Sequence, residues 1–300
     1  MPRARLIRSI ALVAALATVP IGLVACTGAP AAPASPDGLA VSLRQGRLDV
    51  VERRLVVRFE NTGAEPVAIE GFTVETPTLE PGLERSKPFE LAAGDAIAVR
   101  LDLPGSACDA EPGPVVVDVA FRTTGVDGEA RLTADDPFDT ISRVNAADCL
   151  GESVAEVAEI VMPEHLRSTG TGAGRRAFID VEIVPAASAR EAQGGAGAAS
   201  MRIERVYGTT LLSAEDGVDW PLGLDVAAGD PPLTISLPVR PARCDAHAIA
   251  DDKRGTILPF EVETSDGSAG RLDVPSDDGL KAELYAYYVE RCGLATPPAG

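Results

Sequence analysis

The chain has few of the side chains that most often carry chemistry. It contains two histidines and one tryptophan, and only 4% of its residues are aromatic. The core is therefore expected to consist mainly of Val, Leu, Ile and Ala. The sequence contains no Gly-x-Ser-x-Gly, His-x-x-x-His, Walker or dinucleotide-binding glycine motif. These absences argue against the motif-defined hydrolases and nucleotide-binding enzymes, so we expect a protein that is not an enzyme and holds no cofactor or metal.

Positive charge is also scarce. The chain has 27 basic and 45 acidic residues, a formal net charge of -18. A surface of this sign repels the phosphates of nucleic acids and anionic lipid head groups. We therefore expect no nucleic-acid partner, and most of the acidic residues to be solvated surface groups.

Long apolar runs are missing except near the N-terminus. There, Arg3, Arg5 and Arg8 precede an apolar run over residues 10–24, which Pro20 interrupts. No second run of membrane-spanning length follows. A short apolar run after a basic start is typical of a signal segment rather than a permanent transmembrane helix.

The end of this run, Leu23-Val24-Ala25-Cys26, resembles the bacterial lipobox, in which a small residue precedes an invariant cysteine. In that family the cysteine thiol is diacylglycerylated and the peptide is cut just before it. The resemblance implies a signal peptide over residues 1–25 and lipid attachment at Cys26. Two or more acyl chains on one residue anchor a protein stably, so we expect the protein on the extracytoplasmic face of the cell membrane. The alternative is an ordinary secretory signal with a chance cysteine.

The segment after Cys26 predicts a spacer. Residues 26–38 are rich in Ala and Pro and have no apolar periodicity. Such sequences form stiff, extended tethers. At the other end, residues 295–300 are expected to be a disordered tail.

Four further cysteines indicate disulfides, because an even number in an exported chain usually forms a disulfide framework. Four cysteines allow three pairings. Free or metal-binding cysteines are the alternative, but no Cys-x-x-Cys spacing supports a metal site. The four cysteines are Cys108, Cys149, Cys244 and Cys292.

An internal repeat chooses among the pairings. Residues 91–110 align with residues 226–246, and both stretches contain Ala-Ala-Gly-Asp and end in Cys-Asp-Ala. Each copy then closes on a second cysteine. The repeat therefore predicts one disulfide in each copy, Cys108–Cys149 in the first and Cys244–Cys292 in the second.

The hydrophobic periodicity favours strands. Residues 55–59, 115–121 and 178–183 alternate or run apolar over short lengths. Turn residues such as Asp127-Gly128 and Asp266-Gly267 separate the runs. Many short strands with regular turns predict an all-β chain of two tandem β-sandwiches. The predicted domains span residues 39–150 and residues 151–294.

One stretch carries a resemblance to a fold family. Residues 56–74, VVRFENTGAEPVAIEGFTV, resemble the strand, Asn-Thr-Gly and strand signature of bacterial immunoglobulin-like extracellular domains. The resemblance implies immunoglobulin-like sandwiches. Residues 151–163 fit a helical face as well as a strand, but their place in the repeat predicts the first strand of the second copy.

Four aromatic residues offer a possible ligand platform. They fit two interpretations, a stacking surface for sugars or packing inside the second copy. As parts of a strand, two of the tyrosines would share one face and the third would lie on the other. The residues are Trp220, Tyr285, Tyr287 and Tyr288.

The remaining candidates for chemistry are acidic pairs and the two histidines. The pairs Asp135-Asp136, Asp251-Asp252 and Asp277-Asp278 could serve a carboxylate-based hydrolase, but they also suit solvated turns. His165 and His247 stand apart from any catalytic pattern.

These observations predict a membrane-anchored lipoprotein with a non-catalytic role, which binds or scaffolds another protein of the cell envelope. The first alternative is a module that binds a glycan or a small ligand. The second is an envelope hydrolase with a carboxylate site.

Overall fold

The computed structural model describes residues 35–187, 198–250, 252 and 254–294. Within these residues the chain forms two antiparallel β-sandwiches, which confirms the predicted all-β class. The predicted signal peptide, Cys26, most of the tether and the tail at residues 295–300 lie outside the described residues.

Domain 1 contains eight strands and a short helix. They are β1 (Leu39–Arg44), α1 (Arg47–Val51), β2 (Arg54–Asn61), β3 (Val67–Glu75), β4 (Glu84–Arg85), β5 (Phe89–Leu91), β6 (Ala96–Asp102), β7 (Val116–Arg122) and β8 (Asp127–Thr133). Helix α2 (Thr140–Ala155) follows.

Domain 2 repeats this plan with longer loops. Its strands are β9 (Ala158–Val161), β10 (Arg167–Thr169), β11 (Arg176–Pro185), β12 (Ser200–Val206), β13 (Leu212–Ala214), β14 (Trp220–Ala227), β15 (Leu233–Pro241), β16 (Ile257–Thr264) and β17 (Ala269–Pro275). Its helices are a 3₁₀ turn (Gly172–Gly174), α3 (Ala246–Ala250) and α4 (Asp278–Cys292).

The two sandwiches share the same central strand pairings, to which domain 2 adds β10 beside β11 and β13 beside β15. In domain 1 the sheets are ordered β1-β2-β6 and β4-β3-β7-β8, and β5 also pairs with β3. In domain 2, β11 pairs with β9 and β15, and the second sheet is ordered β14-β12-β16-β17. The internal repeat of the sequence is thus a repeat of the fold.

Alternation along the strands fills each core. In β7, Val117, Val119 and Phe121 are buried, while the residues between them are partly exposed. A strand turns successive side chains to opposite faces, so this pattern directs one face inward. The same logic builds a separate core in domain 2.

The repeated Ala-Ala-Gly-Asp segments are tight turns that require glycine. Gly94 has φ +83° and Gly229 has φ +88°, both in the left-handed region. Glycine enters that region without the steric penalty of a Cβ atom. One other turn was predicted at the wrong place: Asp127-Gly128 begins β8, and the hairpin turns instead between Thr123 and Val126, whose N–H and carbonyl are 2.9 Å apart.

Each copy ends in a helix rather than a strand. Asp136 lies before α2 and accepts hydrogen bonds from its first two backbone N–H groups, those of Thr140 and Ile141, at 2.8 and 2.9 Å. Asp277 caps α4 by accepting from the N–H of Leu280 at 2.7 Å. Such caps satisfy N–H groups that have no partner within the helix.

Helix α2 belongs to both domains. Ile141 and Val144 are buried in the first core, while Leu150 and Val154 are buried in the second. The predicted domain boundary between residues 150 and 151 therefore falls inside a continuous helix. The predicted first strand of the second copy, β9, begins only after α2 ends.

Candidate functional site

The residue predicted to carry the lipid, Cys26, lies outside the described residues. Among the residues that are described, no helix combines the length and apolar character needed to cross a membrane.

The four remaining cysteines form the two predicted disulfides. Cys108 pairs with Cys149, and Cys244 pairs with Cys292. Each bond ties the segment after β6 or β15 to the helix that closes its copy. Disulfides persist in oxidising compartments, so the pair indicates an extracytoplasmic protein.

Three of the four candidate aromatic side chains lie inside the second core. Trp220 is 4% exposed and donates from Nε1 to the carbonyl of Pro238 at 2.8 Å. Tyr287 and Tyr288 are 0% exposed. Rings buried in this way pack the core and present no face to a sugar.

The tyrosines lie on helix α4, so the prediction of a strand was wrong. The Tyr287 hydroxyl donates to the carbonyl of Val239 on β15 at 2.7 Å. The Tyr288 hydroxyl donates to the carbonyl of Arg243, next to the disulfide. These bonds fasten α4 to the sandwich.

Tyr285 lies on the same helix and is partly buried. Its hydroxyl donates to Asp252 Oδ2 at 2.8 Å. Burial, together with the neighbouring Asp252 carboxylate, raises the pKa of Tyr285 above its ordinary value. The hydroxyl therefore stays protonated and acts as a structural donor.

One member of each acidic pair makes local structural contacts, and Asp251 lies outside the described residues. Asp136 and Asp277 cap helices, as described above. Asp252 Oδ1 accepts from the N–H of Gly255 at 2.6 Å, which closes a turn. The described residues bring together no group of three or more His, Cys, Asp or Glu side chains that could hold a metal ion.

His165 pairs with Glu283 across the surface of domain 2. Its Nδ1 lies 3.0 Å from Glu283 Oε1, and a hydrogen bond to that carboxylate raises the pKa of His165. The second oxygen of Glu283 accepts from the N–H of Leu166 at 2.6 Å. The histidine thus helps to fasten a loop to α4. His247 lies in the short helix α3.

Domain 1 has a polar cleft that the sequence motifs did not indicate. The cleft has a volume of 610 Å³, and three arginines line it, Arg44, Arg100 and Arg143. The strand register places Arg44 and Arg100 on either side of Val56, in one row across the outer face of the β1-β2-β6 sheet. We call this feature the arginine cleft.

A buried carboxylate orders one wall of the arginine cleft. Asp49 of α1 is 7% exposed at its side chain and accepts from Arg100 Nε at 2.8 Å. Burial raises the pKa of Asp49, but hydrogen bonds from Arg100 and from the Gly46 N–H outweigh this effect, and its pKa lies below the ordinary value. The charged carboxylate therefore holds Arg100 in place beside the cleft.

The mouth of the arginine cleft has an exposed ring and an unusual turn. Phe138 is 63% exposed, and its carbonyl accepts from Arg143 Nε at 2.9 Å. The next residue, Asp139, has φ +50°. A positive φ at a residue other than glycine costs conformational free energy, and such residues cluster at functional sites.

The charge of the arginine cleft differs from that of the molecule. Three arginines and two aspartates line it, within a chain of net charge -18. A guanidinium presents five N–H donors in a planar fork that matches a carboxylate or phosphate. The cleft is thus suited to an anionic group. Only the strand register, which the sequence does not state, brings Arg44 and Arg100 together.

Comparison with known proteins supplies no family. No protein-family model and no curated protein sequence matches the chain. Among solved structures, a red sea bream transglutaminase is 11% identical with a TM-score of 0.21, over 81% of this chain and 32% of that chain. The present chain thus spans about a third of the transglutaminase.

Two smaller proteins give similar figures. The YadV chaperone is 11% identical with a TM-score of 0.18, over 75% of this chain and 94% of its own. The calcium binding domain CBD12 of CALX1.1 is 11% identical with a TM-score of 0.21, over 79% of this chain and 87% of its own. Likenesses at these TM-scores carry no argument about function.

Proposed function

We propose that this protein is a membrane-anchored lipoprotein whose two sandwiches form a rigid, non-catalytic binding or scaffolding arm of the cell envelope. The observation that carries the proposal is helix α2. Because its two halves are buried in two different cores, the sandwiches are joined by a helix rather than by a flexible loop. A rigid arm on a tether is suited to presenting a surface at a fixed position.

The location in the proposal rests on two independent features. The two disulfides are typical of an oxidising compartment. The lipobox-like Leu23-Val24-Ala25-Cys26 supplies a lipid-attachment cysteine ahead of an Ala- and Pro-rich spacer. Together they support an arm outside the membrane, held by its N-terminus.

The candidate catalytic and glycan-binding residues already make structural contacts, which favours a binding role over catalysis. The carboxylates that a hydrolase would use serve as helix caps and turn acceptors at Asp136, Asp252 and Asp277. The aromatic rings that a glycan site would use are buried at Trp220, Tyr287 and Tyr288. The arginine cleft remains as a surface suited to a charged partner.

The anchor is tested by the substitution Cys26→Ala. We expect the parent chain in the membrane fraction, labelled by a palmitate analogue, and the variant unlabelled and released from the membrane. Ser35→Ala is the control, since it changes the tether while leaving the lipobox and both disulfides intact. Equal membrane retention and labelling of the Cys26→Ala variant would contradict the anchor.

The binding role is tested by crosslinking in living cells, followed by mass spectrometry of the proteins attached to the lipidated chain. We expect a recurrent envelope protein with the parent chain and its depletion with Cys26→Ala. If only glycan or small molecules are retained, the ligand-binding alternative replaces the scaffold.

A further inference from the structure

Strand β6 has an open edge. It lies at the border of the β1-β2-β6 sheet and pairs with β2 along its whole length. Among the strands that the structure describes, none pairs with the other side of β6. Unpaired backbone groups on an edge strand are a template for a further strand.

The hydrogen bonds to β2 identify the groups that face outward. The Leu103 N–H donates to the Arg53 carbonyl at 2.8 Å, and the Asn61 N–H donates to the Asp95 carbonyl at 2.9 Å. These bonds place the backbone groups of the odd-numbered residues toward β2, because the bonded pairs alternate along an antiparallel ladder. The outward groups therefore belong to Ala96, Ala98, Arg100 and Asp102.

The second copy covers or blocks part of the equivalent edge. In β15, residues 239–241 pair with β13, and Pro238 lies within the strand. Pro231 and Pro232 precede it. Proline has no N–H to donate and is one of the usual means of blocking an edge. Strand β6 contains no proline, so the two copies differ in whether this edge can accept a partner.

The side chains of β6 specify what would fit. Ile97 and Leu101 pack against the core but stay partly exposed at the sheet border. On the outer face, Ala96 and Ala98 are small, and the side chain of Arg100 is 58% exposed. Arg100 uses Nε for Asp49, and within the described residues its Nη groups make no hydrogen bond.

We propose that an extended segment of a partner protein adds to the sheet along β6 and places a carboxylate opposite Arg100. The inference rests on the proposed binding role and names the partner's chemistry. A paired strand lies about 4.8 Å away, and directly opposed Cβ atoms are about 5 Å apart. A Glu or Asp opposite Arg100 therefore reaches the free Nη groups at the border of the arginine cleft.

The alternation of side chains along β6 predicts the residue pattern of the added strand. Residues of the added strand on the inner face cover Ile97 and Leu101, so they are apolar. Residues on the outer face meet the small Ala96 and Ala98, then Arg100, and then Asp102, whose carboxylate is paired with Arg54 at 3.4 Å, so they are polar or acidic. The partner segment is thus an alternating apolar and acidic strand, and its backbone contributes the hydrogen bonds of β-augmentation.

A second copy of the chain is a poorer occupant. Two molecules of net charge -18 repel one another. An antiparallel pairing over all of β6 is centred on Val99 and places Arg100 opposite Ala98, where it finds no carboxylate.

The test uses the full chain and a fluorescent synthetic peptide in which Val and Glu alternate, with binding followed by anisotropy at low salt, where charge screening is weakest. Arg100→Glu is expected to weaken binding roughly tenfold or more, because it sets like charges opposite one another. The same variant is expected to bind an alternating Val and Lys peptide instead. Arg131→Glu, at an exposed arginine on the edge strand β8, is the matched control and should leave binding unchanged.

The backbone part of the inference is tested at Ala98. Ala98→Pro removes an outward N–H without removing a bond to β2, and is expected to weaken peptide binding by roughly tenfold or more. Ala98→Val keeps the N–H and should bind as the parent does. Thermal unfolding and hydrogen exchange of β2 verify that each variant is folded.

Four results with the purified protein would overturn the inference. These are absence of peptide binding by the parent, equal binding by all variants, displacement of the peptide by inorganic phosphate with no effect of Ala98→Pro, and a dimer in sedimentation that Ala98→Pro dissociates. The third would assign a free anion to the arginine cleft, and the fourth would assign β6 to a second copy. A partner that is crosslinked in cells, but not through a photoreactive residue at position 98, would contradict this inference while leaving the proposed binding role intact.

Discussion

Several acidic side chains in this protein hold segments together. Asp148 of α2 accepts two hydrogen bonds from Arg53, at 2.6 and 2.9 Å, and one from Ser106 Oγ at 2.8 Å. These bonds fasten the helix to the segment that follows β6, beside the Cys108 disulfide. The large negative charge is therefore partly structural.

The Asp148 cluster predicts a loss of stability in acid. Burial raises the pKa of Asp148, but hydrogen bonds from Arg53 and Ser106 outweigh this effect, so its pKa lies below the ordinary value of 3.8. A lowered folded-state pKa stabilises the fold above the unfolded pKa, and this contribution is lost as pH falls through the folded-state pKa. Asp148→Asn should reduce the free energy of unfolding by about 1 kcal/mol at neutral pH, since Arg53 is half exposed and screened.

Urea unfolding of the parent and Asp148→Asn at neutral pH and at about pH 2 measures this effect. The difference between the two chains should shrink in acid. Asp102→Asn, at a highly exposed carboxylate, is the control. A difference of the same size at both pH values would show that the carboxylate charge is not responsible.

Gly94 allows a test of the repeated turn. At φ +83°, a Cβ atom would meet no neighbouring atom within 4 Å, so the cost of Gly94→Ala is conformational alone. We expect the free energy of unfolding to fall by about 1 kcal/mol. Gly125→Ala, also in open space but without a positive φ, should have little effect. Equal midpoints of chemical unfolding for the two variants would contradict the requirement for glycine.

At the scale of elements, the strands were predictable and the helices were not. Strands β2, β7 and β11 follow from short alternating or apolar runs. In α4 the spacing of Tyr285 and Tyr287 imitates a strand, while the buried Leu280, Leu284, Tyr287 and Tyr288 follow the helical repeat. Two periodicities overlap in one short segment, and only packing against β15 decides between them.

The arginine cleft lay beyond sequence reasoning for a different reason. Its three arginines come from β1, β6 and the start of α2, and no local motif links them. The disulfides were predictable because the repeat duplicated their context, whereas no repeated motif marks the arginine cleft. The cleft depends on the register of β1 and β6 against β2, and no single motif in the sequence marks that register.

Helix α2 contains a glycine that can be used to test the helix itself. Gly151 lies inside α2, and a Cβ atom added there meets no atom within 4 Å. Gly151→Ala should therefore raise the free energy of unfolding by roughly 0.5 to 1 kcal/mol, because alanine has the higher helix propensity. A higher midpoint in chemical unfolding is the expected result, and a lower one would place strain at this position.

At the scale of the whole molecule, α2 predicts that the two sandwiches unfold together. Gly151→Pro should cost about 3 kcal/mol locally and uncouple the cores that α2 joins. We expect a single calorimetric transition for the parent and for Gly151→Ala, but two for Gly151→Pro. Two transitions in the parent would mean that the helix does not couple the domains.

The shared helix also sets an order of events during synthesis. Domains generally fold from the N-terminus onward as the chain emerges, so domain 1 can assemble once residue 149 is available for its disulfide. Leu150 and Val154 then have no core to enter until β17 and α4 have been made. During that interval the nascent chain exposes apolar side chains at the C-terminal end of α2. A chaperone that covers them would reduce aggregation until domain 2 has folded.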